Sequence, residues 1–278
     1  MIIGPPAYDL PAYHWQLEAL AFFDHLIYGA DNGYASQARV RYWVEGADAY
    51  RSASSWPLPG SKSLRLHLAS NGADAAMHRL TADPQQNGLN RWAAVPLGAI
   101  LCAGFDEVAN QCLSYEMAVE KEMELTGAVT LCLSFSSNEI DSHVVARTGL
   151  VSANDAYCIL SMGAIRPACR RIDTARSTTT EIAIDIDAPE PLVPGVPVTL
   201  RFSLTPHPVV LKPGDRLRLD IASRTDLLRS DVSHGHAQFD MQVPPYFARN
   251  TLHYGPGSFI EFDVAPPFLS WREANQHH

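Results

Sequence analysis

The residues able to do chemistry are few and scattered. His234-Gly235-His236, with Asp231 and Asp240 close by, is the one cluster of metal-ligand types. A single intervening glycine can place two imidazoles on one side of an extended segment, but no third ligand follows at a recognisable spacing. The expected reading is a solvated loop, with no metal and no cofactor. Serine hydrolysis needs a Ser on a strand-to-helix elbow, typically G-x-S-x-G, together with a His base and an orienting acid. No G-x-S-x-G occurs, and Gly60-Ser61 and Gly257-Ser258 sit in turn-like stretches with no helix after them. His14, in Tyr13-His14-Trp15 at a helix start, is the weak remaining candidate for a base; a surface role is the ordinary expectation there. Cys102, Cys112, Cys132, Cys158 and Cys169 form no CxxC pair, which favours reduced thiols over disulfides or zinc.

Composition narrows the classes further. The 278 residues suit one large domain or two smaller ones, and 46% hydrophobic with 18% charged residues describes a folded chain. A formal net charge of -9 argues against nucleic acid, which needs a basic surface. No apolar run reaches the length of a bilayer span, so no membrane association is expected and the cytoplasm is the expected location.

The elements that would position any site are mostly strands. Residues 192–223 hold two alternating runs, Val198/Leu200/Phe202/Leu204 and Leu217/Leu219/Ile221, each introduced by a Pro-Gly pair. Period-two alternation puts one face of each run in a core, and Pro-Gly suits a chain reversal, so the runs are expected to be neighbouring antiparallel strands. Similar alternation marks Val40/Tyr42/Val44, Leu64/Leu66/Leu68, Val129/Leu131/Leu133/Phe135 and Ile260/Phe262/Val264. Further strands are expected at 144–149, 156–162 and 181–186, whereas 71–112 reads as an irregular excursion. The convincing helix is at 13–28, where Trp15, Ala19, Phe22, Phe23 and Leu26 make an apolar stripe and Gly29 stands ready to end it. A strand at Met1-Ile2-Ile3 followed by that helix is a single βα step, which cannot bury its own stripe.

Three segments carry a resemblance. They are IIGPP with EALAFFDHLIYGADNGY and VRYWVEGADAYRSASSWPLPG; MELTGAVTLCLSFSSNEIDSHVVARTGLVSANDAYCILSMGAIRPACR; and PLVPGVPVTLRFSLTPHPVVLKPGDRLRLDIAS. In this order they resemble the C-terminal part of X-Pro dipeptidyl-peptidase and cocaine-esterase-like serine hydrolases. The resemblance implies a mainly β fold, a galactose-binding-like jelly-roll β-sandwich at 37–278, with residues 1–36 a βα remnant of an α/β-hydrolase domain. It places the catalytic Ser and Asp in a preceding domain. The family's His follows its last hydrolase strand in a pattern like Gly-Pro-Trp-x-His; here Pro6 and Tyr8 occupy the Trp and His positions. Leu101 and Phe105, in a loop resembling the one that runs to the active-site cleft, would line an acyl pocket. Asp141 and Arg166 match family positions and are expected to form a structural ion pair, while Arg216 and Arg218 alternate onto the solvent face.

The resulting expectation is a non-catalytic portion of a serine hydrolase. It would be inactive alone and partnered by a catalytic α/β-hydrolase domain or chain, or by a second copy in a homo-oligomer. Two alternatives stand beside it. One is an autonomous carbohydrate- or small-molecule-binding module using Trp43, Trp56, Trp92 or Tyr246 as platforms. The other is ester hydrolysis through a different arrangement around His14.

Overall fold

Alternation along the strands governs the architecture. β11 (Val198–Leu204) buries Leu200, Phe202 and Leu204, and β13 (Arg216–Ala222) buries Leu217, Leu219 and Ile221. The protein is described by a computed structural model covering residues 2–3, 15–73, 75–96, 110–224 and 247–266. It is a β-sandwich. The remaining sandwich strands are β4 (Lys62–Ala69), β5 (His78–Thr81), β6 (Leu89–Ala94), β7 (Cys112–Ala118), β8 (Met123–Ser137), β9 (Val144–Val151), β10 (Tyr157–Ile165), β12 (Val209–Leu211), β14 (Ala248–His253) and β15 (Phe259–Val264).

One layer runs β10-β9-β13-β7-β5-β4, and β4 passes pairing on to β15 in the other layer. The long β8 organises that second layer. Its one edge carries β12 and β11, its other edge β15 and β14, and β6 pairs outside β14. Leu131, Leu133 and Phe135 of β8 share one core with Val144 and Ala146 of β9 and with the buried leucines of β11 and β13. At the far side Thr205 N–H donates to the Met162 carbonyl at 3.0 Å, bringing the end of β11 against β10.

Three expectations are corrected. β11 and β13 are not neighbours: β11 pairs β8, whereas β13 pairs β7 and β9 in the other layer. The Pro-Gly turns are real, with Gly195 at φ 78° and Gly214 at φ 94°, but β12 intervenes and carries the chain across. Residues 181–186 form no strand, only a bridge between Ile184 and Ile172. Aspartates there satisfy the backbone locally: Asp185 Oδ1 accepts from Asp187 N–H and Asp173 Oδ1 from Ala175 N–H, each at 3.0 Å, and Arg171 clamps Asp185. Short-range Asx bonds compete with a ladder. In 71–112, read as irregular, β5 and β6 are ordered strands and β7 begins at the end.

A three-stranded sheet stands beside the sandwich. β1 (Ile2–Ile3) pairs parallel with β2 (Val40–Val44), which forms a hairpin with β3 (Ala49–Ala53). Val40, Tyr42 and Val44 turn inward onto Val210, Leu58 and Ala265. The hairpin is stitched on by Glu45 N–H to the Pro208 carbonyl (3.0 Å) and Val210 N–H to the Glu45 carbonyl (2.9 Å). Gly46 follows at φ 75°, where a Cβ would stand 2.9 Å from the Val210 carbonyl oxygen, so only glycine permits this approach without strain. Among the described residues no helix is long and apolar enough to cross a membrane.

Candidate functional site

Helix α1 (Trp15–Tyr28) is expected from its spacing and stops where Gly29 N–H returns to the His25 carbonyl at 3.1 Å. Its attachment to the rest of the described chain is slight. Glu18 pairs with Arg41 of β2 at 2.9 Å, Asn32 Nδ2 donates to the Ala21 carbonyl at 2.8 Å, and Phe22 meets Tyr34 edge-on at 5.5 Å. Leu17, Leu20, Phe23, Leu26, Ile27 and Tyr28 are all more than half exposed, from 51% to 79%. These residues do not share one stripe; they extend round the helix. Such a spread of apolar residues is the pattern of a helix buried on more than one face.

The seam under the hairpin holds the most perturbed carboxyl. Glu124 of β8 is buried, pairs through Oε2 with Arg51 Nη1 at 2.9 Å, and has no hydrogen-bond partner on Oε1. Burial pushes its pKa up to about 7, with Arg51 pulling the other way. The Tyr42 hydroxyl beside it is also buried without a partner, and burial raises its pKa. In the described residues these groups sit where the β2–β3 hairpin joins the sandwich.

The outward face of β7, β13, β9 and β10 carries a polar network that sequence reading caught only in part. Arg216 and Arg218 do point away from the core, but they are not simply solvated. Arg216 bridges Glu116 (3.1 Å) and Asp155 (2.7 Å), and Arg218 Nε donates to Asp220 Oδ1 at 2.9 Å. Ser114 Oγ donates to the same carboxylate at 2.6 Å, and Arg147 approaches it at 3.8 Å. Arg147 and Asp220 are both buried. The available signal was a charge within an apolar strand, Val144-Val145-Ala146-Arg147, opposite Arg216, Arg218 and Asp220 at period two.

Asp141 and Arg166 form the expected ion pair, and Asp141 Oδ1 also accepts from the N–H groups of Ala168 (3.0 Å) and Ser142 (2.9 Å). Its role is to fix the chain after β10. His14, Leu101, Phe105, Tyr246 and the His234/His236 pair lie outside the described residues. Among the described residues no group of three or more His, Cys, Asp or Glu side chains could hold a metal. Of the aromatic platform candidates, Trp92 is buried with Nε1 donating to Ser223 Oγ (2.9 Å), Trp56 packs on Tyr42, and Trp43 lies edge-on to Tyr50.

Among the described residues there is one Ser–His side-chain pair. His253 Nε2 lies 2.9 Å from Ser136 Oγ across the β14–β8 ladder. Ser136 is buried within a strand, burial lowers the His253 pKa, and among the described residues no carboxylate orients the ring. Without an elbow or an orienting acid this pair is a cross-strand hydrogen bond.

Residues 32–258 match the family described as X-Pro dipeptidyl-peptidase C-terminal non-catalytic domain. Two proteins each named "Putative serine esterase", from Mycobacterium bovis and Mycobacterium tuberculosis, are each 27% identical over 243 residues, covering 81% of this chain and 37% of theirs. Among solved structures, a CocE/NonD family hydrolase from Staphylococcus aureus aligns with a TM-score of 0.70 at 17% identity, over 91% of this chain and 46% of that one. An aminopeptidase from a marine-sediment Thaumarchaeota archaeon gives 0.63 at 17% identity over 88% and 43%. An alpha-amino acid ester hydrolase gives 0.58 at 15% identity over 88% and 44%. At such identities the structural likeness speaks for the fold. The chain spans little more than a third of the curated relatives and under half of these structures.

Proposed function

The chain belongs to the family of X-Pro dipeptidyl-peptidase C-terminal non-catalytic domains, and from that premise we propose that it acts by packing on a catalytic α/β-hydrolase domain, in the same polypeptide or on a partner chain. In this reading the whole enzyme hydrolyses acyl ester or peptide bonds in the cytoplasm, and these residues contribute no nucleophile. Residues 37–278 form the jelly-roll accessory domain. Residues 1–36 are the last strand and helix of the hydrolase domain, held to the accessory domain by β1 on β2 and by Glu18–Arg41.

The single observation that carries this reading is α1, on which six large apolar side chains, spread beyond one stripe, are more than half exposed. Exposing that much contiguous apolar surface is unfavourable, at about 25 cal/mol per Å². The occupant has to be large, because one flat partner would cover one stripe only. A catalytic domain supplies such a body, and the length of the curated relatives beyond the matched region is where one would lie.

The test is sedimentation velocity of the 278-residue chain over a concentration series. Without its catalytic partner the chain is expected to self-associate through α1, and Leu20→Glu with Ile27→Glu should restore the monomer while leaving the β-sheet circular dichroism unchanged. A wild-type chain that stays strictly monomeric and soluble throughout would overturn the packing role of α1.

A further inference from the structure

The polar face of β7, β13, β9 and β10 encloses a concavity of about 190 Å³, with Glu116, Arg147, Asp155, Tyr157, Arg218 and Asp220 among its lining residues. That is room for one small ring, well below a drug-sized site. Three observations set it apart from an ordinary surface ion network.

The first is a buried donor without an acceptor, on a guanidinium that otherwise pairs with Asp220 and Tyr157. Arg147 is 2% exposed, its Nε–H has no acceptor, and its closest carboxylate, on Asp220, stands at 3.8 Å, beyond hydrogen-bond reach. A buried polar group without a partner is costly, so a bound acceptor would be favoured there. The second is a fixed aromatic wall. The Tyr157 ring lies over Gly149, where any Cβ would collide with the ring, and it has the Arg147 and Arg218 guanidinium carbons 5.3 and 5.9 Å from its centroid. Its hydroxyl reaches Asp220 Oδ2 at 3.5 Å.

The third is charge balance. Arg147, Arg216 and Arg218 face Glu116, Asp155 and Asp220, three positive against three negative groups. An ion of either sign would meet as much repulsion as attraction. A neutral ligand carrying several hydroxyls can donate to the carboxylates, accept from the guanidinium groups, and rest a C–H face on the tyrosine.

We propose that this outer-face pocket binds a neutral polyhydroxylated ligand of the size of one sugar ring. The site is independent of the α1 docking surface, and its existence does not depend on the hydrolase reading. Arg147 contributes the unshared donor, Asp220 and Glu116 the acceptors, and Tyr157 the apolar wall.

The experiment is titration of the full 278-residue chain with glucose, galactose and xylose, read by saturation-transfer NMR and by the Arg147 side-chain Nε–Hε resonance. Acetate and glucuronate serve as charged probes. Saturable binding of at least one neutral sugar with movement of that resonance is expected, and Arg147→Lys, which keeps the charge but loses the planar fork, should weaken it about tenfold. If Arg147→Lys does not fold, Tyr157→Leu removes the aromatic wall; it should weaken the same binding severalfold, and unchanged affinity would count against the proposal. The proposal is overturned if none of the three sugars saturates up to roughly 100 mM, if only acetate or glucuronate binds, or if the bound sugar leaves the Arg147 resonance unmoved.

Discussion

Asp220→Ala is expected to destabilise the fold by about 3–5 kcal/mol, because it strands a buried cation. Asp220 is the one carboxylate in ion-pair range of Arg147 among the described residues, and both side chains are 4% exposed or less. Its loss also removes the acceptor of Ser114 Oγ (2.6 Å) and of Arg218 Nε (2.9 Å). Arg218 keeps Glu116 at 3.7 Å and is nearer to solvent, so the cost falls mainly on Arg147. The double change Arg147→Met with Asp220→Leu should recover at least half of the loss, since Val145, Ala222, Cys112 and Ala164 already form an apolar patch on that face. Urea denaturation of the three proteins checks this. A loss under about 1 kcal/mol in Asp220→Ala, the range of an exposed pair, would show that the network is solvated and not structural.

Glu124 should make stability fall as pH rises, opposite to the usual behaviour of a carboxylate. Burial pushes its pKa from the ordinary 4.5 up to about 7, outweighing the support that Arg51 gives the charge. The folded state therefore holds the proton more tightly between those values. The contribution is fully present below about 4.5 and lost as pH climbs through about 7, with an upper size of about 3 kcal/mol. His207 works in the contrary direction. It is buried with Nε2 unpartnered, and burial lowers its pKa from 6.5 to about 4. Its contribution is present above about 6.5 and lost as pH falls through about 4. The two slopes overlap and offset each other, so the wild-type curve alone is uninformative. The difference between wild type and Glu124→Gln isolates the carboxyl: the variant should gain on the wild type from pH 5 to about pH 7 and level off by pH 8. A difference that stays constant over that window would place Glu124 in contact with water.

Much of the sandwich is written in local alternation. Leu200/Phe202/Leu204, Leu217/Leu219/Ile221 and Leu131/Leu133/Phe135 each face the core as their spacing requires. What alternation cannot give is which strands pair, because pairing depends on sequence separation and on the partner edge. β11 and β13 look adjacent in the chain and lie in different layers. β14 escaped because Asn250, a polar residue, occupies a fully buried position and bonds Ser223 Oγ at 3.0 Å. β7 carries its own alternation, Leu113/Tyr115/Met117, which begins just past the stretch read as irregular and is not among the expected strands.

The candidate sites divide the same way. Asp141–Arg166 emerged from the family likeness and is an ion pair in the structure. Arg147–Asp220 did not emerge, since it brings together two strands 73 positions apart that are joined by ladder pairing of Asp220 with Arg147. Glu124 gave no signal either: its burial is created by the hairpin of β2 and β3 folding over it, with Arg51 as its cap.

The central claim is that these residues shape and support a hydrolase without performing its chemistry. The most direct measurement is hydrolysis of p-nitrophenyl acetate by the 278-residue chain, with and without prior treatment by a serine-directed sulfonyl fluoride. The account predicts no saturable turnover, no burst of nitrophenol, and no effect of the inhibitor. Saturable turnover that is abolished by the sulfonyl fluoride and by His14→Ala would contradict it, and would place a working nucleophile and base within this chain.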